Sequence, residues 1–217
     1  MSGFPAPDSF VVDAPCEPYE VSSNTDECDP TEKPGVADWR QIVTSIYGGN
    51  SKDGIVRDCK RGKASDHHAG RAWDWMRSAA IPDEAAEAEE VIGWLLATDA
   101  TENEHAMYRR LGLTYVIWNE HVWSSRTKSW QPYAGDDPHT SHVHFSFGKA
   151  GSMGQTSFFR WAHGGDYPAP NVEGRGIVRV VAGTIAFIGG VTAGYYAFLA
   201  MAKSRRTGFG RAGRARA

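Results

Sequence analysis

Cysteine is scarce in this chain. Only Cys16, Cys28 and Cys59 occur in 217 residues, and no pair has C-x-x-C spacing. That argues against a zinc site built from cysteines. Cys28 and Cys59 flank the start of the apparent domain, so one disulfide fits an oxidising setting; three reduced thiols fit a reducing one. An excess of basic charge is also lacking. With 23 Lys and Arg against 26 Asp and Glu, the formal charge is −3, which gives no whole-chain nucleic-acid signal. The first 27 residues have neither a basic start nor a continuous apolar run. They are rich in Pro, Ser, Asp and Glu, and predict a flexible tail rather than a secretory signal.

What is present divides the rest of the chain. Residues 28–161 read as one domain. Val36 to Tyr47 suits a helix with Trp39, Ile42, Val43 and Ile46 on one face. Pro82 suits a helix N1 position, with Asp83 and Glu84 in the first turn and Ala85, Ala88, Val91, Ile92, Leu95 and Leu96 buried, ending near Thr98. A further helix is expected over residues 103–111. Strands are expected at Gly54–Asp58, Ala72–Met76, Leu113–Trp118 and His142–Phe147. Strands and helices mix without regular alternation, which predicts an α+β fold with a small antiparallel sheet and flanking helices.

A linker is expected at 162–179. Val180 to Met201 then carries no charge. At about 1.5 Å per residue, 22 residues reach across a hydrocarbon core of about 30 Å, so a single transmembrane helix is expected. Within it Ala182, Ala186, Gly190 and Gly194 recur every four residues and suit helix–helix self-association. The tail 202–217 is basic and without acid, which predicts a cytoplasmic C-terminus and a domain on the extracytoplasmic side.

Five of the eight histidines fall in two short segments. The first, Ser65-Asp66-His67-His68-Ala69-Gly70-Arg71-Ala72-Trp73-Asp74, reads S-x-H-x-x-G-x-A-x-D. The second, His139-Thr140-Ser141-His142-Val143-His144, ends in H-x-H. Two histidines and one carboxylate form the ligand set of a catalytic zinc ion with a coordination position left open. On a strand His142 and His144 share one face, so that one can ligate while the other faces the reacting group. His139, on the loop just before, can reach the same cleft. The other interpretation is a structural zinc, but such sites usually close with four protein ligands.

These residues resemble the LAS-type zinc peptidases, a group holding D-Ala-D-Ala carboxypeptidases, peptidoglycan endopeptidases and many phage endolysins. About 130 residues, from Cys28 through Trp161, are also similar to the C-terminal domain of secreted actinobacterial and actinophage proteins. The resemblance implies that His67, Asp74 and His144 bind Zn2+, that Ser65 supports the site by a hydrogen bond, and that Arg57 lies near the substrate carbonyl oxygen. One position departs from the pattern. Carboxypeptidase-like members place Asp or Glu three residues before the last ligand, where this chain has Ser141. Serine is a poor base at neutral pH, so proton transfer falls to His142 or His139.

The resulting expectation is a membrane-anchored peptidoglycan peptidase, from a bacterial envelope or a phage. It would act on a peptide stem or cross-link, with Trp75, Trp118, Trp123 and Trp130 as candidate groove residues or core aromatics. The rival expectation is a non-catalytic wall-binding or virion component with a structural zinc.

Overall fold

Period-two alternation in two strands decides how the domain is layered. Ala72-Trp73-Asp74-Trp75-Met76 and His142-Val143-His144-Phe145-Ser146-Phe147 each send aromatic or aliphatic residues to one face and polar or small ones to the other. The computed structural model describes residues 16–22, 28–49 and 53–162. Its elements run α1 (Pro34–Tyr47), a 3-10 turn (Asp66–Ala69), β1 (Ala72–Met76), α2 (Pro82–Leu96), α3 (Ala106–Leu111), β2 (Leu113–Trp118), β3 (His121–Ser124), β4 (Trp130–Pro132), β5 (His142–Phe147), α4 (Lys149–Ser152) and α5 (Ser157–Ala162). The strands form one antiparallel sheet in the order β1-β5-β2-β3-β4. The fold is α+β.

The core lies between the helices and the aromatic face of this sheet. Trp73, Trp75, Val143, Phe145 and Phe147 meet Val36, Trp39, Ile42 and Val43 of α1, and Val91 and Leu95 of α2. Trp39 stands at the centre. It stacks on Trp94 at 6.2 Å and meets Phe145 and Phe158 edge-on at 5.9 and 6.2 Å, the offset and edge geometries that aromatic quadrupoles favour.

The helix α1 begins at Pro34, whose missing N–H is no loss in a first turn. The helix α2 ends at Leu96, two residues short of the expected end. The helix α3 begins at Ala106 rather than 103, because Asn103 and Thr101 are held in a turn around the Asp99 carboxylate and His105 has a left-handed φ of 51°. The expected strand Gly54–Asp58 is reduced to a single bridge, Gly54 to Asp74. Beyond it the Arg57 N–H donates to the His67 carbonyl, and the chain turns into the Cys28–Cys59 disulfide. The strands β3 and β4 and the helices α4 and α5 were not anticipated, being only three to six residues long.

Residues 16–22, expected as part of a flexible tail, are docked on the domain. The Glu17 carboxylate accepts from the Ser157 N–H and Oγ, and its carbonyl accepts from Arg109 Nε. The Tyr19 hydroxyl bonds His105 Nδ1 at 2.8 Å, and its ring carries the Arg109 and Lys128 cations. Among the described residues no helix is long and apolar enough to cross a membrane. The stretch 180–201, with its small-residue stripe, lies outside the described residues, as do the linker and the basic tail.

Candidate metal centre

The first motif is folded by a short chain of local constraints. Ser65 caps the 3-10 turn, its Oγ accepting from the His67 N–H at 3.4 Å. Gly70 closes the turn at φ 64°, and a Cβ there would lie 1.9 Å from the Thr31 carbonyl oxygen. Only glycine satisfies both demands. The disulfide holds the same region from outside: beside Cys28, the Asp29 N–H donates to the His68 carbonyl at 2.8 Å. His67 is thereby presented beside β1, and His68 turns away to donate from Nε2 to the Arg61 carbonyl.

Strand register supplies the rest. Asp74 pairs directly with His144, and Met76 with His142. Directly opposed residues share a face, so the carboxylate and both histidines meet on the side of the sheet away from the tryptophan core. His144 Nδ1 lies 2.9 Å from Asp74 Oδ1, and His67 Nε2 lies 3.1 Å from Asp74 Oδ2. Two ligands at about 2.05 Å from a tetrahedral zinc stand about 3.3 Å apart, close to these separations. One donor atom from each of His67, Asp74 and His144 lies within 4.8 Å of the other two.

The protonation pattern favours a cation at this point. The Ile55 carbonyl, 2.8 Å from His67 Nδ1, can only accept, so Nδ1 carries a proton. The other ring nitrogen, Nε2, lies beside an Asp74 carboxylate oxygen. His67 Nε2 is buried, as is His144 Nε2, and neither makes a hydrogen bond. An imidazole nitrogen and a carboxylate oxygen held 3.1 Å apart in a buried site form a pair that a shared cation would stabilise. The backbone carbonyl that fixes the His67 tautomer is also the kind of outer partner that metal-binding histidines commonly have.

Burial would raise the Asp74 carboxyl, but the hydrogen bond from His144 and the neighbouring His67 outweigh it and hold the group far below the ordinary carboxylate range. Burial lowers His144. Both shifts favour the forms a metal needs, carboxylate and neutral imidazole.

His142 and His139 stand next to this cluster. His142 Nε2 lies 3.7 Å from Asp74 Oδ1, and its ring centroid lies 4.6 Å from that of His139. The Asp137 carbonyl accepts from His139 Nδ1 at 2.6 Å, leaving His139 Nε2 with a lone pair. Ser141 Oγ lies 3.2 Å from His142 Nδ1, so the residue at the departing position touches the histidine that would take over its task. Burial lowers both imidazoles, with the His142 charge contributing to the shift at His139.

Arg57 is joined to His67 only through its backbone, and its side chain is exposed. Of the four candidate tryptophans, Trp75, Trp118 and Trp123 belong to the core, while Trp130 is exposed. Trp118 and Trp130 line a hollow of about 350 Å³ with Ile92 and Leu96. Two residues of the site face were missed from sequence. Tyr115 stacks on His144 at 5.4 Å, and its hydroxyl donates to Asp66. Asp66 also accepts from Arg71 and from Ser146 Oγ, tying the 3-10 turn to β2 and β5. The position of Asp66 between Ser65 and His67 was the available signal for it.

The arrangement defines an α+β domain with a buried two-histidine, one-carboxylate centre at the edge of a polar sheet face. Residues 28–144, more than half of the chain, match the VldE C-terminal domain family. The chain belongs to that family, and the matched stretch contains His67, Asp74, His142 and His144. No curated protein and no solved structure matches the chain.

Proposed function

We propose that this chain is a zinc-dependent peptidoglycan peptidase of the LAS type, endolysin-like, which hydrolyses an amide bond in a peptide stem or cross-link of the bacterial wall. The observation that carries the proposal is the buried convergence of His67, Asp74 and His144, with His67 Nε2 and His144 Nδ1 at 3.1 and 2.9 Å from the two carboxylate oxygens. His67, Asp74 and His144 would hold the zinc. Bound there, the ion supplies a Lewis acid that acidifies water and polarises a carbonyl.

The chain's own residues supply the proton chemistry. Burial keeps His142 and His139 neutral at pH 7, so either can accept a proton from the attacking water and return it to the leaving amine. The protonated form gains from the Asp74 and Asp137 charges nearby. Arg57, one backbone hydrogen bond from His67, is the candidate cation for the substrate oxygen. A disulfide suits an extracytoplasmic domain, and the uncharged stretch 180–201 is its proposed membrane anchor.

The test is the full-length chain on purified cell walls, with zinc and with a chelator, followed by free amino groups and by mass spectrometry of the released muropeptides. Zinc-dependent release of new amino termini is the expected result, and the fragment masses identify the bond. A folded, zinc-loaded protein that releases no amino groups from any wall chemotype would overturn the peptidase and leave the wall-binding alternative.

A further inference from the structure

The register that assembles the metal centre also extends it. His144 pairs with Ile117, and Ile117 pairs with Val122, so one row crosses the sheet from Asp74 through His144 to Ile117 and Val122. A second row runs from Ser146 through Tyr115 to Ser124. Both rows lie on the site face. Tyr115, Ile117, Val122 and Ser124 of these rows line a groove of about 710 Å³, together with Ser65 and Asp66 and with Val21 and Ser22 of the docked N-terminal segment. The groove adjoins the candidate metal centre, because Ile117 pairs with His144 and Tyr115 stacks on it.

Two charged residues line this groove, Asp66 and Arg126. Asp66 is spent within the protein, accepting from Arg71, Tyr115 and Ser146. Arg126, on the turn after β3, is exposed and forms no ion pair among the described residues. Among the lining residues, Arg126 alone presents a charge without an ion-pair partner. The distance from the centre fixes the register of a ligand. Strands are spaced about 4.8 Å apart and residues rise about 3.4 Å along them, so Ser124, two strands and two residues from His144, lies about 12 Å away. Arg126 is two residues further on, a distance that an extended peptide covers in about four to five residues.

We propose that this groove binds the substrate peptide across β2 and β3, and that Arg126 selects a free carboxylate about four to five residues from the scissile bond. The inference rests on the peptidase reading. It makes Arg126 a specificity-determining residue and the substrate an acidic peptide.

The experiment uses the full-length chain, zinc-loaded, with two synthetic stem peptides that are identical except that the carboxylate at that distance is free or amidated. Binding is measured by calorimetry and hydrolysis by liquid chromatography. Wild type should favour the free carboxylate by about three- to fivefold in Kd and KM, the size expected of a solvent-exposed ion pair, with kcat unchanged. Arg126→Ala should lose that preference, Arg126→Lys should keep most of it, and Arg126→Glu should reverse it. Equal preference in wild type and Arg126→Ala would overturn the proposal while leaving the peptidase reading intact. Arg126-dependent binding without hydrolysis would support the groove and overturn the peptidase.

Discussion

The two faces of the sheet are built from the same strands by opposite rules. On one face Trp73, Trp75, Phe145 and Phe147 are fully or almost fully buried and make dispersion contacts with helices. On the other, Asp74, His142, His144 and Ser146 are also largely buried, yet polar, and their contacts are with one another. A buried polar face is costly unless each group has a partner. Asp66 meets that demand, accepting from Arg71, Tyr115 and Ser146, and Asp74 meets it through His144, whereas His67 Nε2 and His144 Nε2 make no hydrogen bond. The core face thus serves stability, and the other face keeps unpartnered ring nitrogens where a ligand can use them.

That contrast is broken most sharply by one substitution on each face. His144→Ala should reduce wall hydrolysis to background and remove stoichiometric zinc binding, while circular dichroism still shows the folded domain. Trp73→Ala, which pairs with Phe145 on the opposite face one position along the β1–β5 ladder, should cost about 3–5 kcal/mol, as large aromatic truncations in cores do. Domains of this kind have a total stability of about 5–15 kcal/mol. Urea melts of the two variants separate the cases. Loss of fold in His144→Ala without loss in Trp73→Ala would invert the assignment of the faces.

The disulfide tests how the 3-10 turn is held against the sheet. The Cys28–Cys59 loop spans 31 residues, for which chain-entropy arguments give roughly 3–4 kcal/mol. The double variant Cys28→Ser/Cys59→Ser should lower stability by that order in chemical denaturation. Zinc affinity should fall with it, because the Asp29–His68 hydrogen bond loses its anchor.

Much of this division can be read in the sequence, and the unread part has physical causes. Alternation in Ala72–Met76 and His142–Phe147 shows which side chains share a face, and the Gly70 turn marks where His67 meets Asp74. Register between distant strands is not written locally, so nothing in Tyr115 announces that it stacks on His144. The strands β3 and β4, four and three residues long, carry too little periodicity to stand out. The Gly54–Asp58 strand failed for a related reason: its β pattern lost to the disulfide and the turn that follows. Glu17 and Tyr19 looked like polar tail residues until Ser157 and Arg109 met them.

The pH response distinguishes the site face from a merely polar one. His139 and His142 are lowered from 6.5 by burial. A proton acceptor must be neutral, so kcat/KM should stay level from neutral pH downward through the ordinary histidine range and fall only below it. Stability follows the same sign. Below about pH 6.5 the unfolded chain binds protons that these two native histidines refuse, so stability decreases as pH falls from there toward their native pKa values. Glutamine at both positions should reduce the slope in this window in thermal melts of the zinc-free protein, leaving the part due to buried His144 and to His105.

The smallest effect should come from Ser65→Ala. The cap is long at 3.4 Å and serves a turn of four residues. Capping residues contribute about 0.5–2 kcal/mol in regular helices, and this geometry belongs at the bottom of that range. The His67 backbone N–H that Ser65 receives would lose its partner, but the ring is fixed separately by the Ile55 carbonyl. Stability in urea should therefore fall by about 0.5 kcal/mol, with zinc affinity nearly unchanged. A large loss of zinc affinity in Ser65→Ala would mean that the cap, rather than Ile55, aims His67 at the metal centre.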